Sequence, residues 1–285
     1  MSTDWVIRTM RREELAFAAA CTQGEEWVSE DLTTLQGFHI VDPAGCLLAE
    51  VAGAPAGICI ATYYGESGFI GELIVRPDHR GLGLGAALLN AGVSRLQQRG
   101  AHTVYLDGVL KAVELYERNG FRKLTRSWRF SGSLKGSPHP QVQPMEARHL
   151  PAVFALDREG FGADRRFFLG RRWSLFPELG RVLVEDGQVT GYILGRRGEG
   201  WLSAGPWVVL PSTPAPESLL LSLAQEAENT PVTVGILDVN RAACELVESL
   251  GFTLRPTSPW RMALGPAEHL GASPGCYAIG SAAKG

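Results

Sequence analysis

The stretch VRPDHRGLGLGA at positions 75–86 decides the reading of this chain, because it sets glycines at every second position (Gly81, Gly83, Gly85) between two apolar segments. Residues 69–75 before it read as a buried strand, and residues 84–97 after it repeat apolar side chains at helical spacing. Glycines in such a junction allow positive φ and close approach of the backbone to a ligand, while the first N–H groups of the helix point outward at its positive dipole end. A pyrophosphate satisfies those donors. Arg80 at the mouth adds a charged fork suited to phosphate oxygens. The competing reading is a loop whose glycines only make a tight turn.

Two other phosphate-binding patterns can be weighed against these residues. A Walker loop ends in Gly-Lys-Ser/Thr, and Gly85-Ala86-Ala87 offers neither the lysine nor the hydroxyl. A dinucleotide fingerprint fits formally as Gly81-x-Gly83-x-x-Ala86, with Asp107 about 20 residues downstream. In that fold the strand runs almost directly into the first glycine, whereas here residues 76–80 intervene.

Working outward, residues 5–10, 46–51 and 57–63 read as strands before the loop, with an apolar-faced helix over 13–21. After it come a strand over 103–107, a short helix over 111–118 ended by Asn119-Gly120, and a closing strand over 121–130. Residues 131–144, SGSLKGSPHPQVQP, have linker composition. Beyond them the order repeats. Met10 and Leu15 match Met145 and Leu150, Gly57 matches Gly191, and LDGVLKAVELYERNGF at 106–121 lies on LDVNRAACELVESLGF at 237–252 without a gap. The second copy is shorter in the interval that holds the glycine loop, so the copies should share a fold while differing in chemistry. The expected division is 1–135 and 145–285.

The 285 residues suit two domains, each with its own core, and 45% hydrophobic with 20% charged residues is the balance of a soluble globular chain. A net charge of −3 provides no global field for nucleic acid or an anionic membrane, so an anion must be held locally. The five cysteines are odd in number and widely spaced without a C-x-x-C, which signals neither a disulfide framework nor zinc; no metal is expected. The start lacks a signal-peptide pattern and no apolar run reaches membrane-span length, so a cytoplasmic protein is expected.

Arg80-x-x-Gly83-x-Gly85, after a strand ending Leu73-Ile74-Val75 and before a helix, resembles the acyl-CoA loop of the GNAT superfamily of N-acetyltransferases. Ala112-Val-Glu-Leu-Tyr116-Glu-Arg-Asn-Gly120-Phe121 is similar to that superfamily's second signature, a helix bearing a tyrosine before Gly-Phe. In the second half, Leu237-Asp238, Asn240, Gly251-Phe252 and Arg261-Met262 resemble the C-terminal acetyltransferase-like domain of tandem members. The resemblance implies an α/β fold, with two tandem domains each made of a mixed sheet flanked by helices, the second a degenerate copy serving as acceptor site or lid. It implies acetyl-CoA as co-substrate, with the backbone of Leu73, Ile74 and Val75 holding the pantetheine arm and acyl carbonyl. Arg80, Gly81, Leu82, Gly83, Leu84, Gly85 and Ala86 would hold the pyrophosphate, and Tyr116 would stand near the sulfur as general acid. Such proteins often carry an asparagine seven residues before the tyrosine; here that place is Val109.

Amide formation needs a neutral amine, and an alkyl ammonium of pKa ~10 is almost wholly protonated at pH 7, so a base or a water chain is required. Glu72 and Asp107 are the candidates. Glu72 alternatively faces outward from its strand, and Asp107, which recurs as Asp238, alternatively caps a helix. Tyr116 is replaced by Val247 in the repeat, so packing does not need its hydroxyl. Cys59, on a central strand, is the candidate for a rival acyl-cysteine route, and non-catalytic acyl-CoA sensing is the rival function. The expected reaction is direct attack by a primary amine, on a small molecule or peptide, in a ternary complex; a monomer or homodimer, with no nucleic-acid or membrane partner, is expected.

Overall fold

The computed structural model describes residues 4–27, 29–228, 230–267 and 270–285. Its first unit comprises Met1–Lys123, Met262–Ala267 and Lys284. Along it run β1 (Trp5–Thr9), α1 (Leu15–Gly24), α2 (Leu32–Val41), β2 (Cys46–Val51), β3 (Ala54–Tyr63), β4 (Ser67–Val75), α3 (Leu84–Gln98), β5 (Thr103–Gly108) and α4 (Val113–Arg118). Strands β1 to β4 are successively antiparallel, β5 joins β4 in parallel, and residues 262–264 lie beyond β5. β2 and β3 are buried almost without interruption, as strands covered on both faces must be. Leu84, Leu88, Leu89, Val93 and Leu96 make the buried face of α3, each burial stabilising by roughly 1.5–3 kcal/mol.

Helix α2 has no counterpart among the elements read from sequence. Its interior carries Gly37 and two threonines, and it buries only Leu35, Gly37 and Phe38, so its apolar pattern is short. Asp31 starts it by accepting the Thr34 N–H at 2.9 Å.

The second unit comprises Leu124–Arg261, Glu268–Ala283 and Gly285. Its elements are β6 (Arg122–Gly132), β7 (Val142–Pro144), α5 (Leu150–Phe161), α6 (Arg166–Leu175), β8 (Gly180–Glu185), β9 (Gln188–Gly198), β10 (Trp201–Val209), α7 (Glu217–Ala224), β11 (Val232–Leu237), α8 (Arg241–Ser249), β12 (Thr253–Leu254), β13 (Trp260–Leu264, which crosses into the first unit) and β14 (Cys276–Ala278). From β7 to α8 the order of strands and helices repeats that from β1 to α4. One shared position shows why the repeat survives in sequence. A Cβ on Gly57 would sit 3.1 Å from Leu88 of α3, and one on Gly191 would sit 3.0 Å from Leu219 of α7, so in each unit a glycine seats a helix leucine on the sheet.

The structure moves the expected boundary at 131–144. β6, read in sequence as the strand closing the first half, pairs antiparallel with β11 from Ser127↔Leu237 to Gly132↔Val232 and so builds the second unit's sheet. Residues 262–267 complete the first unit instead. The 131–144 segment is packed as well: Ser137 N–H donates to Leu221 O at 3.1 Å, and 142–144 form an edge strand against β8. The strand read as closing the first half thus serves the second unit, and residues 262–267 of the second half serve the first. Composition signalled a linker because it does not register which sheet edge a strand will pair. Among the described residues no helix is long and apolar enough to cross a membrane.

Candidate active site

The ladder between β4 and β5 runs only from Ser67↔Thr103 to Ile70↔Leu106, although β4 continues to Val75. A bulge explains the departure. On the β3 side Ile60 pairs with Gly71 and Ile58 with Ile74, so Glu72 and Leu73 together stand opposite Cys59. Glu72 has φ +48°, a left-handed value that costs a non-glycine residue about 1–3 kcal/mol and marks sites where backbone is being aimed. Beyond the bulge the backbone of Leu73, Ile74 and Val75 leaves β5, and the gap that opens ends at Asp107 and Gly108. Leu73, Val75 and Asp107 are partly exposed there, whereas Ile74 is buried. Glu72 is buried at 3% exposure, which corrects the outward-facing alternative.

From Val75 the chain makes a short turn, Pro77–His79, and enters α3 through the glycines. Gly81 and Gly83 both have φ +82°, and a Cβ on either would meet nothing within 4 Å, so these two are needed for their dihedrals and leave the loop open. Gly85 lies inside the first helical turn without a positive φ. No side chain caps α3, which leaves its first N–H groups facing outward at the positive end of the helix dipole.

Arg80 sits differently from the expectation of a guanidinium aimed at a phosphate. Its Nε donates to Val75 O at 3.0 Å and its Nη2 to Glu25 Oε1 at 2.5 Å. The other Glu25 oxygen accepts from Lys111 Nζ at 2.5 Å, so one carboxylate gathers two cations at the mouth of the gap. Partial burial alone would raise the Glu25 pKa, but Lys111 and Arg80 outweigh it and hold the carboxyl below its ordinary range. Sequence reasoning missed Glu25 and Lys111. Each charge looks like any solvated surface charge, and no spacing links positions 86 residues apart.

Tyr116 is buried on α4, edge-on to Phe121 with centroids 6.2 Å apart, and a Cβ on Gly108 would lie 2.9 Å from its ring. Burial pushes its phenol well above the usual value, so it is protonated at neutral pH. Cys59 is fully buried, and burial, Cys46 and Glu72 together push its thiol up, the setting of a packed rather than an activated thiol. Val109 stands seven residues before Tyr116; the same place in the second unit, seven before Val247, is held by Asn240. Among the described residues no cluster of three or more His, Cys, Asp or Glu could hold a metal ion.

The acetyltransferase (GNAT) family matches residues 9–121, and an acetyltransferase (GNAT) domain matches residues 153–272. The chain belongs to the GNAT superfamily, with two domains in tandem. Among its relatives, a mycothiol acetyltransferase from Thermobispora bispora is 42% identical over 120 residues, covering 39% of this chain and 40% of that protein. The thialysine N-epsilon-acetyltransferase of Sus scrofa is 29% identical over 37% of this chain and 74% of its own. The chain spans about two fifths of the length of the mycothiol acetyltransferases it matches. Among solved structures, a Pyrococcus horikoshii protein described as an acetyltransferase superposes with TM-score 0.80 at 24% identity, covering 99% of this chain and 96% of that one. A tandem GNAT protein from the clavulanic acid biosynthesis pathway gives TM-score 0.65 at 13% identity, over 93% and 100%. At these identities the superpositions establish the GNAT fold in both halves.

Proposed function

We propose that the first unit binds acetyl-CoA and transfers its acetyl group to a primary amine of a small molecule or peptide by direct attack within a ternary complex. The observation that carries this reading is the continuity of an open strand gap, its bulged edge at 72–75, with the uncapped glycine-bounded start of α3. The residues fit the co-substrate. Leu73, Ile74 and Val75 offer backbone groups no longer engaged with β5, suited to a pantetheine arm and to polarising an acyl carbonyl. Gly81, Leu82, Gly83, Leu84, Gly85 and Ala86 offer helix-start amides for the pyrophosphate. Acetyl-CoA, when bound, supplies an activated acyl carbon and a thiol leaving group.

Among the chain's own groups, Asp107 is the better candidate to receive the amine proton, directly or through water, because it is partly exposed where the gap opens. Buried Glu72 holds the bulge and acts on the site through its backbone. Tyr116 keeps its proton at neutral pH and has it to give to the leaving sulfur. The name of the Sus scrofa relative supports an amine acceptor, and those of the mycothiol enzymes a small-molecule one. The test is mass spectrometry of an amine panel incubated with protein and acetyl-CoA, which is expected to find at least one acetylated amine. The burial of both Glu72 and Tyr116 favours a second reading, acyl-CoA binding without turnover, which predicts calorimetric binding of CoA and no acetylated product from any amine.

A further inference from the structure

In the second unit the parallel ladder between β10 and β11 ends early, as it does between β4 and β5, running only from Leu202↔Val232 to Ala204↔Val234. There the resemblance stops. β14 enters the opening and pairs antiparallel with β10, Trp207 with Ala278 and Val208 with Cys276. Val209 N–H donates to Gly275 O at 2.9 Å on one side, and Ile279 N–H donates to Gly235 O of β11 at 2.9 Å on the other. Residues 275–279 are therefore stitched to both splayed strands. The approach is close enough to exclude side chains: a Cβ on Gly275 would lie 2.3 Å from Val209 O, and one on Gly205 2.3 Å from Ile279 O.

Side chains hold the segment as well. Asn240 Nδ2 donates to Pro274 O at 3.0 Å and to Cys276 O at 3.1 Å, while its Oδ1 accepts the Ala243 N–H at 3.1 Å and caps α8. Tyr277 packs on Trp207 with centroids 4.9 Å apart, and Cys276, Ala278 and Ile279 are buried.

We propose that the opening between β10 and β11 is a binding slot for an extended peptide, filled in cis by residues 275–279, and that this occupant closes the second unit to the pantetheine arm of CoA. An extended peptide presents N–H and C=O groups along its length to both strand edges, and those groups satisfy donors and acceptors that the splay leaves over. A phosphate would find little beside the slot, because the segment following β10 carries Pro211, Pro214 and Pro216, which lack N–H donors, and Glu217, which repels an anion. The contrast with CoA rests on the reading of the first unit proposed above; the peptide assignment stands apart from it.

The test is amide hydrogen exchange on the full chain with and without saturating acetyl-CoA, together with native mass spectrometry of the complex. The expected result is slow exchange at Val209 and Ile279, unchanged by acetyl-CoA, and one CoA per chain. Accelerated exchange at 275–279 on adding acetyl-CoA, a second bound CoA, or fast exchange at these amides in the unliganded protein would overturn the proposal. If acetyl-CoA protects nothing at 73–86, the reading of the first unit fails, while slow exchange at Val209 and Ile279 still supports a cis-bound peptide. Gly275→Val supplies a second readout, since expelling the segment should make Cys276 react with a maleimide that leaves the wild-type thiol untouched. An unreactive Cys276 in a folded Gly275→Val protein counts against the slot.

Discussion

At the scale of single residues, the Arg80–Glu25–Lys111 cluster separates two effects of opposite sign. Arg80→Ala removes a charged donor from the loop and is expected to weaken CoA binding by about 1.5–3 kcal/mol. Glu25→Gln removes the anion that competes with phosphate for both cations, and is expected to tighten it. Arg80 is nearly half exposed, so that gain should stay below about 1 kcal/mol. Calorimetry on the two variants reads both signs, and equal shifts in one direction would dissociate the cluster from CoA. Tyr116→Phe should lower kcat by roughly 10²-fold or more with acetyl-CoA binding nearly intact, because only proton donation to the leaving group is lost. Normal turnover in steady-state kinetics would make Tyr116 a packing residue. Glu14 provides a pH test away from the site. Hydrogen bonds from Arg8, set against burial and helped by Arg11, hold its carboxyl far below the ordinary range. A depressed folded pKa stabilises the protein fully above the unfolded value of ~4.3 and loses that contribution as pH falls toward the folded one. Glu14→Gln should therefore cost about 1.5–3 kcal/mol at pH 7 and flatten the decline of stability below pH ~4, read by urea denaturation across pH.

At the scale of elements, the three glycines of the loop divide by backbone rather than by spacing. Gly83, at φ +82° before α3, should not tolerate alanine: a left-handed residue with a Cβ costs roughly 1–2 kcal/mol, and relief of that strain would turn the helix-start amides away from a ligand. Gly85 is helical, and a Cβ there would meet Leu115 at an ordinary 3.4 Å, so Gly85→Ala should be neutral or stabilise by up to about 1 kcal/mol. Chemical denaturation of both variants is the check, and a Gly83→Ala protein as stable as Gly85→Ala would remove the conformational argument. The bulge at Glu72 and Leu73 belongs to the same scale. One extra residue stands in β4 where its pairing with β5 ends, and the proposed site lies at that parting.

At the scale of the molecule, each unit is completed by a strand from the other half of the chain, and a fragment cut at the apparent linker lacks one. Residues 145–285 alone lose β6, leaving one edge of β11 without its partner strand and Phe130 out of the core; residues 1–135 alone lose 262–267. Neither fragment is expected to unfold cooperatively in circular dichroism, and co-expression should restore a folded product; cooperative unfolding of 145–285 alone would argue against the exchange. The loop, the tyrosine helix, the repeat and most strands of the first half were legible in the sequence, because each rests on local chemistry: glycines at positive φ, a 3.6 period, short apolar runs bounded by turns. The three-residue strand that fills the second opening, the Glu25 bridge between two cations and the completion of each unit by residues of the other half were not. They depend on which edge lies beside which, a property of chain closure over tens of residues that no local pattern encodes. The sequence by itself determined two acetyltransferase-type folds and the loop of the first. Only the tertiary structure decided that the second opening is taken by the chain's own backbone, because strand pairing is made by N–H and C=O groups and not by side-chain identity.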